Sequence, residues 1–316
     1  MLPARFHLMV AKDCIKHRKN MLTASYISDE MLALNNSAIE KDIIIMNEIG
    51  LDPGIDHMSA MKVIDHIKEK KAKIILFESY TGGLMAPESD NNLWNYKFTW
   101  NPRNVVLAGQ GGPAKFLQQG YNKYIPYNKL FKRTQNLQVK NYGSFEGYPN
   151  RDSLKYREIY GLGDIKTLCR GTIRKVGFSE SWDVFVQLGM TDDSYIIENS
   201  KNMKFRDFVD LFLPYNAKER VESKLQKLLK ISEKELIWSK LLELDIFSDQ
   251  KIITLDKATP AQILEFILCK SWTLDPSDKD MIVMTHKFVY ELKNKKYQID
   301  SNMAVSYTHL TLPTKA

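Results

Sequence analysis

The sequence predicts an α/β protein that begins with an incomplete parallel sheet and continues into a mixed α+β domain with a helical portion. Two observations lead to this prediction. Short apolar runs at 21–26 and 43–46 alternate with amphipathic segments at 4–18 and 29–41, which is the βα pattern of a parallel sheet. Beyond residue 55, strand-like and helix-like segments follow one another without that regular alternation.

The first 55 residues contain too few strands for a stable sheet. Helices between short buried strands imply right-handed crossovers, as in nucleotide-binding folds. Two parallel strands are not stable alone, however. We therefore expect residues 1–55 to form a partial Rossmann-like, dinucleotide-binding domain whose earlier strands are missing from the chain.

Residues 56–305 are predicted to form the second domain. The pattern indicates a helix over 58–68, a strand over 73–80 and a loop that opens at 81–83. Further strands are predicted over 137–142 and 169–176, helical segments over 205–244 and 260–272, and a closing hairpin from 280–292 and 297–305. The last eleven residues, 306–316, fit no element and are interpreted as a non-native tail.

The composition is that of a globular intracellular protein. The chain has 316 residues, of which 44% are hydrophobic and 26% are charged. Its three cysteines are far apart, which argues against a disulfide framework and fits a reducing, cytoplasmic location. Because no apolar run approaches the roughly 20 residues that span a bilayer, we expect no membrane association.

One segment carries a regional charge. Residues 91–145 contain eight lysines and arginines and no acidic residue. Such a segment favours anions, although a solvated lysine-rich surface explains it equally well. Tyr121, Tyr124 and Tyr127 could stack on bases, but no nucleic-acid-binding motif accompanies them, so we expect no nucleic-acid partner.

Chemistry is expected above all in the turn formed by residues 47–57, with sequence NEIGLDPGIDH. The turn follows the predicted strand at 43–46, and ligands of open α/β sheets bind beyond the carboxyl ends of such strands. Pro53 and Gly54 allow a tight reversal that presents Asp52, Asp56 and His57 around one bend. The alternative is an Asx-rich turn that only caps the next helix.

Residues 105–114 imitate a dinucleotide-binding loop, because an apolar run precedes a GxGxxA sequence. No acidic residue follows about 20 positions later, as such a loop requires for the ribose, so a glycine-containing helix start is the better interpretation. The sequence also lacks a phosphate-binding P-loop, an HExxH motif and paired CxxC spacing, and we expect no metal site.

Three further side chains are candidates for the same site. Arg151, at a strand end, and Arg170, inside a strand, could each hold a substrate carboxylate bidentately, although a structural ion pair is the usual role of a single arginine. Tyr26 closes the first predicted strand and could face the same crevice as Asp52.

These pieces, in this order, resemble the glutamate-forming saccharopine dehydrogenases, also called saccharopine reductases. The resemblance runs from about residue 2 to residue 305. The residues that carry it are 23–26 (TASY), 47–57 (NEIGLDPGIDH), 79–84 (SYTGGL), 86–89 (APES), 96–100 (YKFTW), 148–153 (YPNRDS) and 170–172 (RGT).

The resemblance implies an NADP-linked oxidoreductase of lysine metabolism. Such an enzyme converts saccharopine to L-glutamate and 2-aminoadipate 6-semialdehyde, or runs the reverse reaction. Its substrate has several carboxylates, which suits the basic segment and the two arginines. By this resemblance the second domain is a substrate and dimerisation domain, and the enzyme is expected to be a homodimer.

Site residues are assigned by motif. The expected contacts to saccharopine are Ser25, Tyr26, Asp52, Thr81, Arg151, Arg170 and Thr172. The expected contacts to the cofactor are Leu51, Asp52, Gly54, Ile55, Asp56, His57, Asn101 and Arg103. Tyr26 and Asp52 are the catalytic candidates, either as a proton shuttle or as electrostatic stabilisation of an iminium. Some relatives have Cys at the position of Thr81, so a role for a thiol there is in doubt.

Relatives begin with a strand and a glycine-rich loop before the region of residue 2 and continue beyond the region of residue 305. We therefore expect this chain to be a fragment that does not turn over saccharopine alone, and NADPH formation by the purified chain would contradict that. The alternatives are a related reductase, such as a carboxynorspermidine dehydrogenase or the second half of a bifunctional lysine-ketoglutarate enzyme, and a non-catalytic amino-acid-binding module. A basic nucleic-acid binder ranks last.

Overall fold

Two structural units make up the chain in the computed structural model, which describes residues 6–108 and 112–307. Unit 1 comprises residues 1–74 and 290–297, and unit 2 comprises residues 75–289 and 298–316. Among the described residues, none of the helices combines the length and apolarity that a bilayer-spanning segment requires.

Unit 1 has the βα alternation that the sequence predicts. Its elements are α1 (His7–His17), β1 (Met21–Leu22), α2 (Asp29–Leu32), α3 (Asn35–Glu40), β2 (Ile45–Met46) and α4 (Ile55–Glu69). The two strands pair in parallel, with Met21 opposite Ile45 and Leu22 opposite Met46. A small core of Ala11, Met21 and Met31 lies between the strands and the helices before them.

Several predicted bounds in unit 1 are wrong. The strands are only two residues long, so Tyr26 lies beyond β1 and does not close it. The helix predicted over 29–41 is two helices separated by a turn at Ala33 and Leu34. The helix predicted from residue 58 begins earlier, at Ile55, because the Met58 backbone N–H already donates to the Gly54 carbonyl at 3.1 Å, which is an i→i−4 helical bond.

The reversal between β2 and α4 is held by its own backbone. Gly50 N–H donates to the Pro53 carbonyl at 2.9 Å, and the Asp52–Pro53 peptide bond is cis. Gly54 has a φ of 145°, and a Cβ at this position would overlap the Gly50 carbonyl group. Only glycine fits there, so the predicted role of the Pro-Gly pair in a tight reversal is confirmed.

Unit 2 is built on a mixed sheet. Its strands are β3 (Lys73–Met85), β4 (Ala114–Gln118), β5 (Tyr121–Ile125), β6 (Gln135–Val139), β7 (Gly143–Pro149), β8 (Thr167–Lys175), β9 (Asp280–Leu292) and β10 (Lys295–Tyr307). The strand order is β10-β9-β3-β8-β4-β5, and the β6–β7 hairpin joins through β7. β8 pairs in parallel with β3 and antiparallel with both β4 and β7.

The helices of unit 2 are shorter than predicted in one region. They are α5 (Pro102–Val106), α6 (Tyr127–Leu130), α7 (Tyr156–Ile159), α8 (Phe178–Leu188), α9 (Phe205–Asp210), α10 (Val221–Leu229), α11 (Leu236–Glu243) and α12 (Pro260–Trp272). The single helical segment predicted over 205–244 is wrong, because Pro214 and a turn in which the Asn216 side chain accepts from Lys218 N–H interrupt it. α12 has the predicted bounds and begins with a capping box between Thr259 and Gln262.

The strand predictions for unit 2 are mostly confirmed, with one clear error. The closing hairpin is present as β9 and β10, and β6 and β8 lie within two to three residues of their predicted bounds. The loop predicted to open at residue 81 is wrong, because β3 continues through Gly82 and Gly83 to Met85. A Cβ at Gly82 would overlap the Ile173 carbonyl of β8, so this glycine permits close strand packing instead of ending the strand.

The segment that imitates a dinucleotide loop has the opposite order of elements. The residues before it form the helix α5, not a strand, and the residues after it form the strand β4, not a helix. The expected helix start is therefore also wrong. Gly109, Gln110 and Gly111 themselves lie outside the described residues.

The helical part of unit 2 encloses an aromatic core. Trp94 stacks on Phe185 at 5.9 Å between ring centroids and meets Trp272 edge-on at 5.1 Å. Trp182 stacks on Phe178 at 5.8 Å. These five rings are almost completely buried, and they join the 91–101 segment to α8 and α12. The Trp94 indole N–H also donates a hydrogen bond to the Lys240 carbonyl at 2.8 Å.

A buried ion pair closes the same region. The Lys97 ammonium lies 2.7 Å from an Asp278 carboxylate oxygen and 3.1 Å from one of Asp275. Burial by itself lowers the pKa of Lys97, but the hydrogen bonds to Asp278 and Asp275 outweigh it, so the pKa is raised. Because this folded-state pKa lies above that of an unfolded lysine, the stabilisation is complete at neutral pH and is lost only as pH rises through the raised value.

We expect Lys97→Met to lower the free energy of unfolding by about 3 to 5 kcal/mol, because it leaves Asp278 as a buried charge without its main cation. Lys115→Met is the matched control, since Lys115 pairs with Asp152 at the surface, and should cost no more than about 1 kcal/mol. Urea unfolding followed by circular dichroism measures both. Equal effects of the two substitutions would contradict the prediction.

We expect Gly54→Ala to lower the free energy of unfolding by about 2 to 3 kcal/mol, because the new Cβ meets rigid backbone. Amide hydrogen exchange of residues 50–58 should rise in the same variant. Gly163→Ala is the control, because a Cβ at Gly163 meets no atom within 4 Å. Unchanged exchange in Gly54→Ala would show that the turn tolerates a side chain.

Candidate functional site

An acidic cluster surrounds the turn between β2 and α4 in unit 1. The carboxylates of Glu48, Asp52 and Asp56 belong to it, and His57 lies among them. The His57 Nε2 atom is 3.4 Å from a Glu48 oxygen, and its Nδ1 atom is 3.7 Å from an Asp56 oxygen. The imidazole therefore lies between two carboxylates, within ion-pair distance of each.

Tyr26 and Asp52 meet at the open side of this turn. The Tyr26 hydroxyl donates a hydrogen bond of 2.7 Å to Asp52 Oδ1. Asp52 is exposed and Tyr26 is half-buried, so the pair is accessible from solvent. Ser25 precedes Tyr26, and its carbonyl accepts a hydrogen bond from Glu48 N–H at 3.1 Å, which ties the 23–26 segment to the turn.

The other predicted cofactor contacts in this turn have structural partners. Asp56 is buried at the start of α4, where its Oδ1 atom accepts from Gly54 N–H at 2.7 Å. A carboxylate in this position is stabilised by the positive end of the helix dipole. The Leu51 carbonyl accepts from Asp56 N–H, whereas the Ile55 side chain points outward and is 39% exposed.

In unit 2 the sheet brings three of the predicted substrate residues together. Across the β3–β8 ladder Thr81 lies opposite Thr172, and Ser79 lies opposite Arg170. Because side chains alternate along a strand, all four belong to one face of the sheet. Tyr148 on β7 lies opposite Thr172 from the other side. Burial raises the pKa of Tyr148, while Arg174 and a hydrogen bond with Thr172 act in the opposite direction.

Arg170 is buried on this face, and the geometry around it is specific. Its guanidinium stacks on the ring of Tyr156 at 4.1 Å from the centroid. Its backbone N–H donates a hydrogen bond to the Ser153 hydroxyl oxygen at 2.9 Å. A stacked, buried guanidinium keeps its planar N–H groups in a fixed orientation, which suits bidentate carboxylate recognition.

Arg151 differs from Arg170 in its surroundings. It follows the end of β7, is exposed, and has a φ of 51°. Its carbonyl accepts a hydrogen bond from Lys115 N–H at 2.7 Å. Lys115 also forms an isolated β-bridge with the next residue, Asp152. The strained backbone thus holds a solvent-accessible guanidinium at the end of a strand, as the sequence indicates.

Asn101 and Arg103 are engaged within the protein. The Asn101 side chain accepts from Asn104 N–H at 3.2 Å and so caps α5. The Arg103 guanidinium forms ion pairs with Asp193 and with Glu265, the latter at 3.4 Å. Burial alone raises the pKa of Asp193, but hydrogen bonds from Thr259 and Arg103 outweigh it, so the pKa of Asp193 is lowered. Arg103 is therefore part of a structural ion-pair network.

Sequence reasoning gave no role to Glu48 or Ser79, and it interpreted His286, a lone histidine in a predicted strand, as a structural residue. Glu48 has a φ of 59°, and its side chain accepts from Ile27 N–H at 3.0 Å while it also faces His57. The buried His286 ring contacts the Ser79 hydroxyl at 3.0 Å. The position of Glu48 two residues after β2 was a signal for a site at the end of a strand, whereas the pairing of Ser79 with a residue 207 positions away left no signal in the sequence.

Comparison with known proteins identifies one family. Residues 50–313 match the family described as saccharopine dehydrogenase C-terminal domain. Over 315 residues the chain is 32% identical to saccharopine dehydrogenase [NADP(+), L-glutamate-forming] of Schizosaccharomyces pombe, covering 97% of this chain and 69% of that protein. Over 310 residues it is 32% identical to alpha-aminoadipic semialdehyde synthase of Arabidopsis thaliana, covering 94% of this chain and 29% of that protein.

A solved structure shows the same fold. Apo histidine-tagged saccharopine dehydrogenase (L-Glu forming) from Saccharomyces cerevisiae superposes with a TM-score of 0.85 at 30% identity, covering 98% of this chain and 70% of that one. The predicted mixed α/β fold class is thereby confirmed, and the names of these relatives do not favour a carboxynorspermidine reductase. The chain belongs to the saccharopine dehydrogenase family, a family of oxidoreductases of lysine metabolism, as its motifs indicate.

Proposed function

We propose that this chain supplies substrate-binding and catalytic residues for the NADP-linked interconversion of saccharopine with L-glutamate and 2-aminoadipate 6-semialdehyde. The Tyr26–Asp52 hydrogen bond carries the proposal, because it joins two motifs of the family resemblance at an accessible site among further carboxylates. The names of the relatives supply the substrate and the cofactor.

The acid–base chemistry is assigned to Tyr26 and Asp52. Oxidation removes a hydride from the carbon that bears the neutral secondary amine and leaves a positively charged iminium, which water attacks with loss of a proton. Asp52 accepts the hydrogen bond from Tyr26 at 2.7 Å, so the pair can hold a proton near the reacting nitrogen and orient the attacking water. The neighbouring Glu48 and Asp56 carboxylates add negative potential, which favours a positively charged iminium over the neutral amine.

Each unit by itself offers donors for the carboxylates of saccharopine. The carboxylates of saccharopine require cationic and hydroxyl donors, and Arg151, Arg170, Thr81 and Thr172 offer them in unit 2. Ser25 offers a hydroxyl in unit 1. Of the two arginines, Arg151 is the more suitable direct ligand, because its guanidinium is exposed while that of Arg170 is buried against Tyr156.

The nicotinamide end of NADP is assigned to the turn between β2 and α4 in unit 1. The cofactor supplies the hydride acceptor for this reaction. The oxidised nicotinamide is positively charged, and the carboxylates of Glu48, Asp52 and Asp56 suit it better than they suit phosphate groups. Leu51, Gly54, Ile55 and His57 line the same turn. Asn101 is a further candidate contact, while Arg103 is already neutralised by Asp193 and Glu265.

Two broader features belong to the same proposal. A cytoplasmic location is consistent with free thiols at Cys14, Cys169 and Cys269. A homodimer is proposed by analogy with the substrate and dimerisation domain of the family, and sedimentation analysis of the protein tests it.

In a chimera in which residues 2–305 replace the matching part of the Schizosaccharomyces pombe relative, we expect Asp52→Asn to lower the rate of NADPH formation from saccharopine by about 100-fold and Tyr26→Phe by about 10-fold, because both disturb proton transfer at the reacting nitrogen. Asp65→Asn is the control, since Asp65 is exposed on α4. NADPH absorbance measures the rate, and calorimetry measures saccharopine binding in the same variants. Rates that remain within twofold of the parent protein in Asp52→Asn would exclude the assigned role.

We expect Arg151→Met to weaken saccharopine binding by about 10- to 100-fold, because it removes one charge-assisted carboxylate contact. Binding of L-lysine, which lacks the additional carboxylates, should change much less. Arg220→Met is the control, because Arg220 forms only a surface ion pair with Glu222. Titration calorimetry distinguishes these outcomes, and equal losses for saccharopine and L-lysine would argue against a carboxylate ligand at this position.

A further inference from the structure

A cavity lies in unit 2 on the face of the sheet opposite Thr81 and Arg170. Its volume is about 380 Å³, which is within the range of small-molecule sites. Glu78, Tyr80 and Cys169 line it, and they alternate along β3 and β8 with the residues of the candidate substrate face. The two groups of side chains therefore belong to opposite faces of the same two strands.

The floor of this cavity is buried and neutral. The Tyr80 hydroxyl lies 3.4 Å from the Cys169 sulfur and accepts a hydrogen bond from the Gln135 amide at 2.5 Å. Burial raises the pKa of Cys169 to about 12 and raises that of Tyr80 as well, so both groups stay protonated at neutral pH. Ile125 and Pro149 add apolar surface. Such a floor accepts an aliphatic side chain.

A carboxylate lies on the wall of the cavity. Glu78 is half-buried, and burial raises its pKa, an effect that Lys287 partly counteracts. Within residues 6–108 and 112–307 the Glu78 side chain has no hydrogen-bond or ion-pair partner in contact. A partly desolvated carboxylate without a direct partner is costly, and a cationic group in the cavity would reduce that cost.

Two cations lie on the rim, and both come from the basic segment 91–145. Four other cations of that segment, Lys97, Arg103, Lys115 and Lys132, are in ion pairs with acidic residues from elsewhere in the chain. Lys123 and Arg133 line the cavity, and in the described part of the chain neither has a carboxylate within ion-pair distance. They are suited to an anionic group at the mouth of the cavity.

We propose that this cavity binds an α-amino acid with an aliphatic side chain. Glu78 holds the ammonium group, Arg133 and Lys123 hold the carboxylate, and the floor formed by Tyr80, Cys169 and Ile125 receives the side chain. This site is separate from the residues assigned to saccharopine and does not depend on the proposed function. Its occupation would make the protein responsive to an amino acid that it does not convert.

The test is titration calorimetry of the 316-residue protein with L-norleucine, hexanoate and hexylamine. Norleucine carries both charged groups, while each analogue lacks one. We expect norleucine to bind and each analogue to bind at least about tenfold more weakly, because one charge-assisted contact is lost. Binding should also raise the melting temperature, since the ligand stabilises only the folded protein.

Four variants locate the site. Glu78→Gln and Arg133→Met should each weaken norleucine binding at least about tenfold. Lys140→Met removes an exposed cation of the same basic segment that does not line the cavity, and should leave binding within twofold. Asp52→Asn should also leave norleucine binding within twofold, although it impairs saccharopine conversion. Circular dichroism verifies that each variant is folded.

Three results would overturn the proposal. The first is the absence of both a binding heat and a melting shift with norleucine at millimolar concentration. The second is hexanoate binding as tightly as norleucine, which would indicate an anion site without a role for Glu78. The third is norleucine binding that weakens in Asp52→Asn or Arg151→Met and not in Arg133→Met, which would place the ligand at the saccharopine residues instead.

Discussion

The arrangement of unit 2 depends on how the ring of Tyr80 packs over two glycines, Gly147 on β7 and Gly171 on β8. A Cβ at Gly171 on β8 would overlap this ring, and a Cβ at Gly147 on β7 would lie only 3.0 Å from it. Gly171 is also the residue that pairs with both Tyr80 and Pro149 across the two ladders. Any slip by one residue would bring a side chain against the ring and turn every neighbour to the other face. The ring therefore fixes the register of three strands at once.

That register divides the chemistry of the sheet into two faces. One face carries the cationic and hydroxyl groups of Thr81, Arg170 and Thr172, which we propose as contacts for a polycarboxylate substrate. On the other, Tyr80 and Cys169 form a neutral floor under a smaller cavity. Because side chains alternate along a strand, one pairing of β3 with β8 determines both faces, and residues adjacent in sequence are assigned to different proposed ligands. A substitution that disturbed the Tyr80 packing would affect both faces together.

The sequence was most informative where local rules coincide with tertiary structure. α12 was predicted with its correct bounds, because Thr259, Pro260 and Gln262 form a start signal that needs no distant partner. The reversal at Gly54 was predicted for the same reason. Prediction failed at Gly82, because a glycine that normally ends a strand is here required by the close approach of β8. It also failed to separate the helices between residues 205 and 244, where an apolar period continues across Pro214.

The candidate site shows the same limit for side chains. The contact between Tyr26 and Asp52 could be anticipated, because both follow neighbouring parallel strands at one edge of a sheet. The basic segment could not be interpreted from its charge alone. Lys97 reaches a carboxylate 181 positions away, and such distant partners neutralise half of the eight cations. A regional charge in a sequence is thus the sum of structural ion pairs and ligand sites, and only tertiary structure separates the two. Of the cations without such an ion pair, Lys123 and Arg133 line the cavity of unit 2. These two side chains, and not the total charge of the segment, are therefore the candidates for binding an anionic group.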